Sequence, residues 1–367
     1  MHAATNKDRA MKDSDLLYGL RHLSLELTAG CNERCVHCCT SSSPEQFVTD
    51  KLARQDYGRL LKEGRELGAA SVQFIGGEPA TKKYELMQLI RDARNTGYKH
   101  IEVYTNLTIL PDMLLDTFKE CGVHVASSFY SCDEQVHDNI TRLRGSHRMT
   151  SRNMQRVLDA KLPLRVGVIG MQENQQTLDA TLAYLKQIGV KQYGVDRVRG
   201  VGRGKAEAKA SGIEQLCHNC WMGGITVASD ATAYPCTVGR EFPVGNVLTS
   251  SLQGILTGDA LTNFRVQSHQ IYQLRKNNRE ACEIPCELNY GPDQCGPDRC
   301  SPDSRCNPEL GLPDPRSVHK YERIDTSQRG LVSQYGNICK PVNPSEDTCK
   351  PDERDTDDDR DCYPVNA

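Results

Sequence analysis

The chain has 367 residues, of which 25% are charged and 38% hydrophobic, and a formal net charge of −3. That length allows two or three domains, or one barrel with extensions. The near-neutral balance gives no reason to expect a nucleic-acid partner, and no apolar run approaches transmembrane length.

The N-terminus, Met1-His-Ala-Ala-Thr-Asn-Lys, lacks the apolar core of a signal peptide. A cytoplasmic location is therefore expected, with most of the 17 cysteines reduced and available as ligands. Residues 1–20 read as an N-terminal extension. Leu23, Leu25 and Leu27 then alternate with Ser24 and Glu26, the period of a strand over 22–28. Directly after it comes Cys31-Asn-Glu-Arg-Cys35-Val-His-Cys38, a C-x3-C-x2-C triplet. Three thiolates on one short loop can hold three irons of a four-iron four-sulfur cluster. Cys39 is adjacent to Cys38 and hard to aim at the same cubane, so one iron stays open for a non-protein ligand. A cluster needs that opening if it is to bind and reduce a substrate rather than only shuttle electrons. The loop lies at the C-terminal end of a strand, where α/β folds place their chemistry. The alternatives are scattered thiols, a disulfide, which needs an oxidising compartment, or zinc, which usually takes two C-x2-C pairs with tetrahedral closure.

Tyr57, Leu60, Leu61 and Leu67 fit an amphipathic helix over 53–67. A second strand over 71–75, containing Val72-Gln-Phe74-Ile75, runs into Gly76-Gly77-Glu78-Pro79. Glycines there let the backbone approach a ligand closely, and Glu78 could accept from an ammonium group; a plain strand-to-loop turn is the alternative. Strands over 101–105, 123–129, 164–169 and 193–197 then alternate with helices over 83–96, 111–120, 149–160 and 176–188. This alternation predicts a parallel sheet with outer helices. Six such units make an incomplete barrel, whose lateral mouth admits a bulky substrate. Tyr104-Thr105-Asn106, Ser127, Ser128, Tyr130, Asp196 and Arg197 fall at strand ends, as functional groups or as plain caps. Cys121 and Cys132 read as packing residues.

After residue 210 the composition changes. Cys217-His-Asn-Cys220 is followed by Gly223-Gly224, Cys236, Gly245-Asn246-Val247 and a short helix around 252–256. Cys282, Cys286, Cys295, Cys300 and Cys306 follow, interleaved with Pro, Gly, Asp and Asn. Such a segment cannot build a large core and is expected to need metal staples. From 311 the chain is Pro- and Asp-rich and closes with Asp355-Thr-Asp-Asp-Asp-Arg-Asp361, an extended or disordered acidic tail. Cys339, Cys349 and Cys362 within it are expected to be free thiols.

Over about residues 20–310 these motifs resemble the radical S-adenosylmethionine (SAM) family. The resemblance implies an α/β fold: a partial (β/α)6 TIM-type barrel over 21–205, a SPASM or twitch-like auxiliary domain over 206–310, and the tail from 311. It implies that a 4Fe-4S cluster on Cys31, Cys35 and Cys38 chelates SAM and cleaves it reductively to a 5′-deoxyadenosyl radical. A matching Gly76-Gly77-Glu78 stretch holds the SAM amino group in that family, and Asn106 and Ser128 correspond to contacts with its ribose or methionine part. The segment His137-Asp138-x3-Arg142-x-Arg144-Gly145-Ser146 resembles one whose arginine, here Arg142, reaches the SAM carboxylate; a solvated basic loop is the alternative. The Asp-Ala-Thr-Ala-Tyr-Pro-Cys236 and Val-Gly-Asn-Val stretches resemble SPASM signatures, implying one or two auxiliary iron–sulfur clusters. Cys217, Cys236, Cys286, Cys295, Cys300 and Cys306 are the preferred ligands, with Cys220 and Cys282 next. The spacing from Cys282 to Cys306 departs from the usual C-x2-C-x5-C-x3-C run, and zinc is the alternative metal for this half.

The whole-chain flavour is similar to bacterial natural-product enzymes, which include peptide maturases and a cytosylglucuronate decarboxylase. The expectation is a radical SAM enzyme acting on a ribosomally made peptide, with a sugar or nucleoside intermediate as the alternative. The residues before the first strand are too few for a separate leader-binding domain. The electron donor implied is a flavodoxin or ferredoxin. No general base is identifiable, and a purely electron-carrying protein has no use for an open iron beside a Gly-Gly-Glu-Pro turn.

Overall fold

Apolar residues at alternate strand positions decide the architecture, because each strand must bury one face under helices. The computed structural model describes residues 19–277 apart from 207, 209–211 and 218, together with two-residue strands at 306–307 and 312–313. Six strands pair in parallel and in sequence order: β1 (His22–Glu26), β2 (Ser71–Ile75), β3 (His100–Tyr104), β4 (His124–Ser128), β5 (Leu164–Gly170) and β6 (Gln192–Arg197). The helices that follow them are α1 (Arg54–Glu66), α2 (Lys83–Thr96), α3 (Asp112–Cys121), α4 (Glu134–Thr141), α5 (Ser146–Asp159) and α6 (Leu178–Gln187). This is the partial barrel expected from the alternation. Leu23, Leu25, Val72, Phe74, Ile101 and Val103 form the outer face and pack on Tyr57 and Leu60 of α1, Leu89 and Ile90 of α2 and Phe118 of α3. Fully burying one such side chain contributes ~1.5–3 kcal/mol. Cys121 sits in this core as a free thiol, as a packing residue would; Cys132 is buried there too, but it is disulfide-bonded, which the packing reading did not anticipate.

The inner face is polar. His22 hydrogen-bonds Ser71 (2.8 Å) and Ser24 (3.0 Å), and Ser24 donates to Gln73 (3.3 Å). Gln73 donates to Glu102 (2.5 Å), and Arg165 donates to both carboxylate oxygens of Glu102 at 2.8 Å. Burial alone would push the Glu102 carboxyl up, but the Arg165 charge and hydrogen bonds outweigh it and hold it at about 2. The Arg165 guanidinium also lies under the Tyr104 ring, 5.3 Å from its centroid.

The sheet continues past β1. β7 (Gly224–Val227) pairs parallel with β1, His22 opposite Gly224 and Leu25 opposite Val227, and β8 (Thr232–Tyr234) and β9 (Gly245–Asn246) add as antiparallel strands. Two helices follow, α7 (Leu252–Leu256) and α8 (Asp259–Asn277). The expectation of a core-poor second half fails for its described part. Ile225, Val227, Ala233, Val247, Ile255 and Leu261 join the main core, because β7 extends the β1 edge and so continues its apolar face. Arg240, beyond β8, forms an ion pair with Glu26 of β1 and ties the two halves at the inner face.

Two helices were not anticipated. In α4 the apolar positions are only Val136 and Ile140, too few for a periodic signal. In α8 the buried positions include Arg265 and Ser268, which a hydrophobic count passes over. Cys282, Cys286, Cys295 and Cys300 lie outside the described residues, as do Cys339, Cys349 and Cys362. Cys306 lies in β10 (Cys306–Asn307), paired with β11 (Leu312–Pro313), and its side chain is outside the description. Among the described residues no helix is long and apolar enough to cross a membrane.

Candidate active site

The cysteine loop leaves the C-terminal end of β1 and is held from several sides by backbone. The Gly77 N–H donates to Thr28 O (2.7 Å) and the Glu78 N–H to Gly30 O (2.9 Å). A Cβ on Gly76 would lie 2.5 Å from Thr28 O and one on Gly77 2.0 Å from Gly30 O. The two glycines thus serve the approach of the turn to the cysteine loop itself, and through it the site. From the opposite side Arg34 N donates to Thr141 O (2.9 Å) and Val36 N to Ile140 O (3.0 Å), so the last carbonyls of α4 take up loop amides.

Cys31, Cys35 and Cys38 are unpaired thiols, the first two buried and the third half-buried, and all three line one cavity. Polar groups surround their sulfurs: the Glu33 N–H at 3.4 Å from Cys31 Sγ, and the Thr40 hydroxyl at 3.2 Å from Cys38 Sγ. Such donors are what cluster thiolates require. Glu33 lies 3.1 Å from Cys35 Sγ, and burial pushes its carboxyl up to about 8. In this contact the Cys35 thiol donates to Glu33 Oε2. Burial raises the Cys31 and Cys35 thiols well above their ordinary value, so ligation must remove their protons. This donor set fits an iron–sulfur cluster.

The cavity has a volume of about 190 Å³ and opens in part to solvent. It brings together most of the residues that the sequence singles out: Gly76, Gly77, Tyr104, Asn106, Ser128, Tyr130, Asp196 and Arg197, with Cys217 at the far side. Asn106 donates to Asn32 (2.9 Å), next to Cys31, and the Tyr104 hydroxyl pairs with Ser128 (2.9 Å). His37, inside the triplet, also lines the cavity; burial, aided by the Arg203 charge, lowers its pKa to about 4.

Two candidates lie elsewhere. Glu78 is fully buried and does not line the cavity. Its carboxylate accepts from Ala80 N (2.8 Å), the Thr105 hydroxyl (2.7 Å) and Asn106 N (2.7 Å), which ties the Gly-Gly turn to the end of β3. Burial nevertheless lifts the Glu78 carboxyl to about 7. Arg142 is exposed, closes α4 in the left-handed conformation (φ 59°) and does not line the cavity. In the same segment Asp138 accepts from Ser146 Oγ and His147 N (both 2.9 Å), capping the start of α5. Here the geometry supports the loop reading.

The auxiliary cysteines gather around Cys220, which the sequence ranks behind Cys217 and Cys236. The Cys220 and Cys236 sulfurs are 3.4 Å apart. Hydrogen bonding with Cys217 and Cys236, then burial, raises the Cys220 thiol well above its ordinary value. Among the described residues no three His, Cys, Asp or Glu side chains close on a single metal ion. Sequence reasoning set Cys39 aside and gave no role to Arg199 or Arg203; all three line the cavity. Their available signal was the glycine-rich Arg199-Gly-Val-Gly-Arg-Gly204 after β6.

Comparison with known proteins agrees with this geometry. The profile of the radical SAM superfamily matches residues 25–185, and that of an iron–sulfur cluster-binding domain, SPASM, matches residues 217–287. The AdoMet-dependent heme synthase of Methanosarcina barkeri is 26% identical over 204 residues, 54% of this chain and 57% of that protein. The PqqA peptide cyclase of Bradyrhizobium diazoefficiens is 26% identical over 181 residues, 46% of each chain. The chain thus spans about half the length of these relatives. Among solved structures, SuiB of Streptococcus suis bound to the precursor peptide SuiA superposes with a TM-score of 0.56 at 13% identity, over 67% of this chain and 66% of that one. That likeness is one of fold.

Proposed function

We propose that this member of the radical SAM superfamily, which carries a SPASM iron–sulfur domain, abstracts hydrogen from a ribosomally made peptide. Its cofactors are the 4Fe-4S cluster that binds SAM, SAM itself, and the auxiliary iron–sulfur centre of the SPASM domain. When bound and reduced, the first cluster supplies the electron that cleaves SAM to a 5′-deoxyadenosyl radical. Cys31, Cys35 and Cys38 would hold it, with the Glu33 N–H and the Thr40 hydroxyl placed to donate to their sulfurs. The Gly76-Gly77 turn fixes the loop that carries them. Asn106 bridges the end of β3 to Asn32, and Tyr104 and Ser128 offer hydroxyls on the cavity wall. Cys217, Cys220 and Cys236 would contribute to the auxiliary centre.

The observation that carries the peptide reading is the continuity of the cavity. One space runs from the cysteine triplet past Arg197 to Cys217, Thr237 and Val238. Part of it opens to solvent, which gives a substrate segment a way in. The PqqA peptide cyclase and the peptide-bound SuiB add support from related chains. A heme synthase of equal identity makes a small-molecule substrate the competing reading.

The test is anaerobic reconstitution with SAM and dithionite, using short peptides encoded beside the gene and labelled with deuterium. Deuterium in 5′-deoxyadenosine with a matching mass loss from the peptide is the expected result. Label transfer only from a sugar or nucleoside encoded by neighbouring tailoring genes would replace the peptide reading. No 5′-deoxyadenosine at all would remove the enzymatic one.

A further inference from the structure

The segment after β6 lies directly on the cysteine loop. Gly202 has φ +58°, and a Cβ there would stand 2.3 Å from Cys38 O and 2.6 Å from Cys39 O. Backbone meets backbone at this point, and no side chain fits. The next residue, Arg203, then takes three carbonyls of the loop. Its N–H donates to Cys38 O (2.9 Å), its Nε to Cys35 O (2.7 Å) and its Nη2 to Ser42 O (2.7 Å). These contacts bracket Cys38, the most exposed of the three cysteines.

The charge of Arg203 is as telling as its shape. Arg199, one turn earlier, spends its guanidinium on Asp196 (2.6 Å). Arg203 meets only carbonyl oxygens and has no carboxylate partner among the described residues. A half-buried, unbalanced cation would serve folding poorly on its own. It makes sense beside a centre that carries negative charge, and its side chain lines the same cavity as the three thiols.

We propose that Arg203 is a positioning residue for the cysteine loop, and that its fixed positive charge raises the reduction potential of the cluster held there. The inference rests on the assignment of Cys31, Cys35 and Cys38 as cluster ligands. The forked guanidinium ties the two ends of the turn around Cys38, so each thiol keeps its aim when iron arrives. Reduction adds a negative charge to the cluster, and a neighbouring cation stabilises that state. Net charge and hydrogen bonding are among the levers that set such potentials. The two roles separate chemically: Lys keeps the charge and loses the planar fork, whereas Gln keeps some hydrogen bonding and loses the charge.

The test uses the full chain, anaerobically reconstituted, as wild type, Arg203→Lys and Arg203→Gln. EPR-monitored redox titration reads the midpoint, and iron release to a chelator reads how firmly the loop holds the cluster. Arg203→Gln is expected to shift the midpoint to more negative potential, and Arg203→Lys to keep it near wild type. Both should release iron faster, by about tenfold or more, the usual cost of removing a group that orients metal ligands. Thermal unfolding of the cluster-free proteins shows whether either variant folds. If Arg203→Gln does not fold, the release rate of Arg203→Lys decides alone. Wild-type midpoint and wild-type release in the variants would overturn the inference while leaving the enzyme reading intact. A wild-type chain that takes up no four-iron cluster at Cys31, Cys35 and Cys38 would overturn the ligand assignment, and this inference with it.

Discussion

Replacing Glu102 by Gln tests the polar inner face on which the cavity floor rests. Glu102 is buried in the barrel, accepts two hydrogen bonds from Arg165 at 2.8 Å and one from Gln73 at 2.5 Å. Its carboxyl drops from 4.5 to about 2. A carboxyl lowered in this way stabilises the fold above its unfolded value, and the contribution disappears as pH falls through the folded one. At 1.36 kcal/mol per unit, a lowering of this kind corresponds to on the order of 3 kcal/mol. Glu102→Gln also leaves Arg165 buried without its counter-charge, and breaking such a pair from one side costs ~3–5 kcal/mol. The two routes agree in size. Urea unfolding of the cluster-free protein at pH 7 should show that loss. Between pH 5 and 2 the variant should lose correspondingly less stability than wild type. The double variant Glu102→Leu, Arg165→Met should recover most of it, because no lone charge remains. A single-variant cost below ~1 kcal/mol, or an unchanged acid limb, would show that the pair is not the anchor of the inner face. Tyr104, stacked over Arg165 and bonded to Ser128, carries the consequence into the cavity wall.

Replacing Cys31, Cys35 and Cys38 together by Ala should remove about four irons per chain and abolish reductive SAM cleavage; 5′-deoxyadenosine production by that variant would refute the ligand assignment. The same variant should keep the auxiliary iron, and stoichiometric zinc in its place would make the second half a zinc module. Cys220→Ala should lower auxiliary iron at least as much as Cys217→Ala, because its sulfur is 3.4 Å from that of Cys236; iron loss confined to Cys217→Ala would restore the sequence ranking. Glu78→Ala strands the Ala80 and Asn106 N–H groups, and each unsatisfied buried donor costs ~1–3 kcal/mol. Urea unfolding at pH 6, where the carboxyl is largely protonated, measures that cost. A variant of wild-type stability with ten- to hundredfold weaker SAM binding would place Glu78 on the ligand instead.

The barrel was legible because strand burial and helix periodicity write the same message into each unit. The strand 71–75 and the helix 83–96 fall where their apolar spacing puts them. Cys31, Cys35 and Cys38 could be singled out because ligand chemistry fixes residue type and spacing locally, and the fold brings all three to one cavity. Glu78 and Arg142 were the least readable. Local sequence shows a carboxylate after two glycines and an arginine after a helix. Only the packed fold decides that the first accepts protein N–H groups and the second faces solvent. Cys220 ranked second and Arg203 was given no role for a related reason. Their partners, Cys236 and the Cys35–Ser42 turn, are 16 residues away in one case and more than 160 in the other.

The cysteine loop has little structure of its own, so the elements around it determine its geometry. β2 ends in the Gly-Gly turn that meets Thr28 and Gly30, α4 ends in carbonyls that meet Arg34 and Val36, and the tail of β6 brings Gly202 and Arg203 to Cys38. These contacts come from the second, fourth and sixth repeats of the barrel. The final shape of the loop therefore depends on contacts drawn from across the barrel rather than on its own sequence. The segment after β8 adds Thr237 and Val238 to the cavity wall, and Arg240 in the same segment pairs with Glu26 at the end of β1.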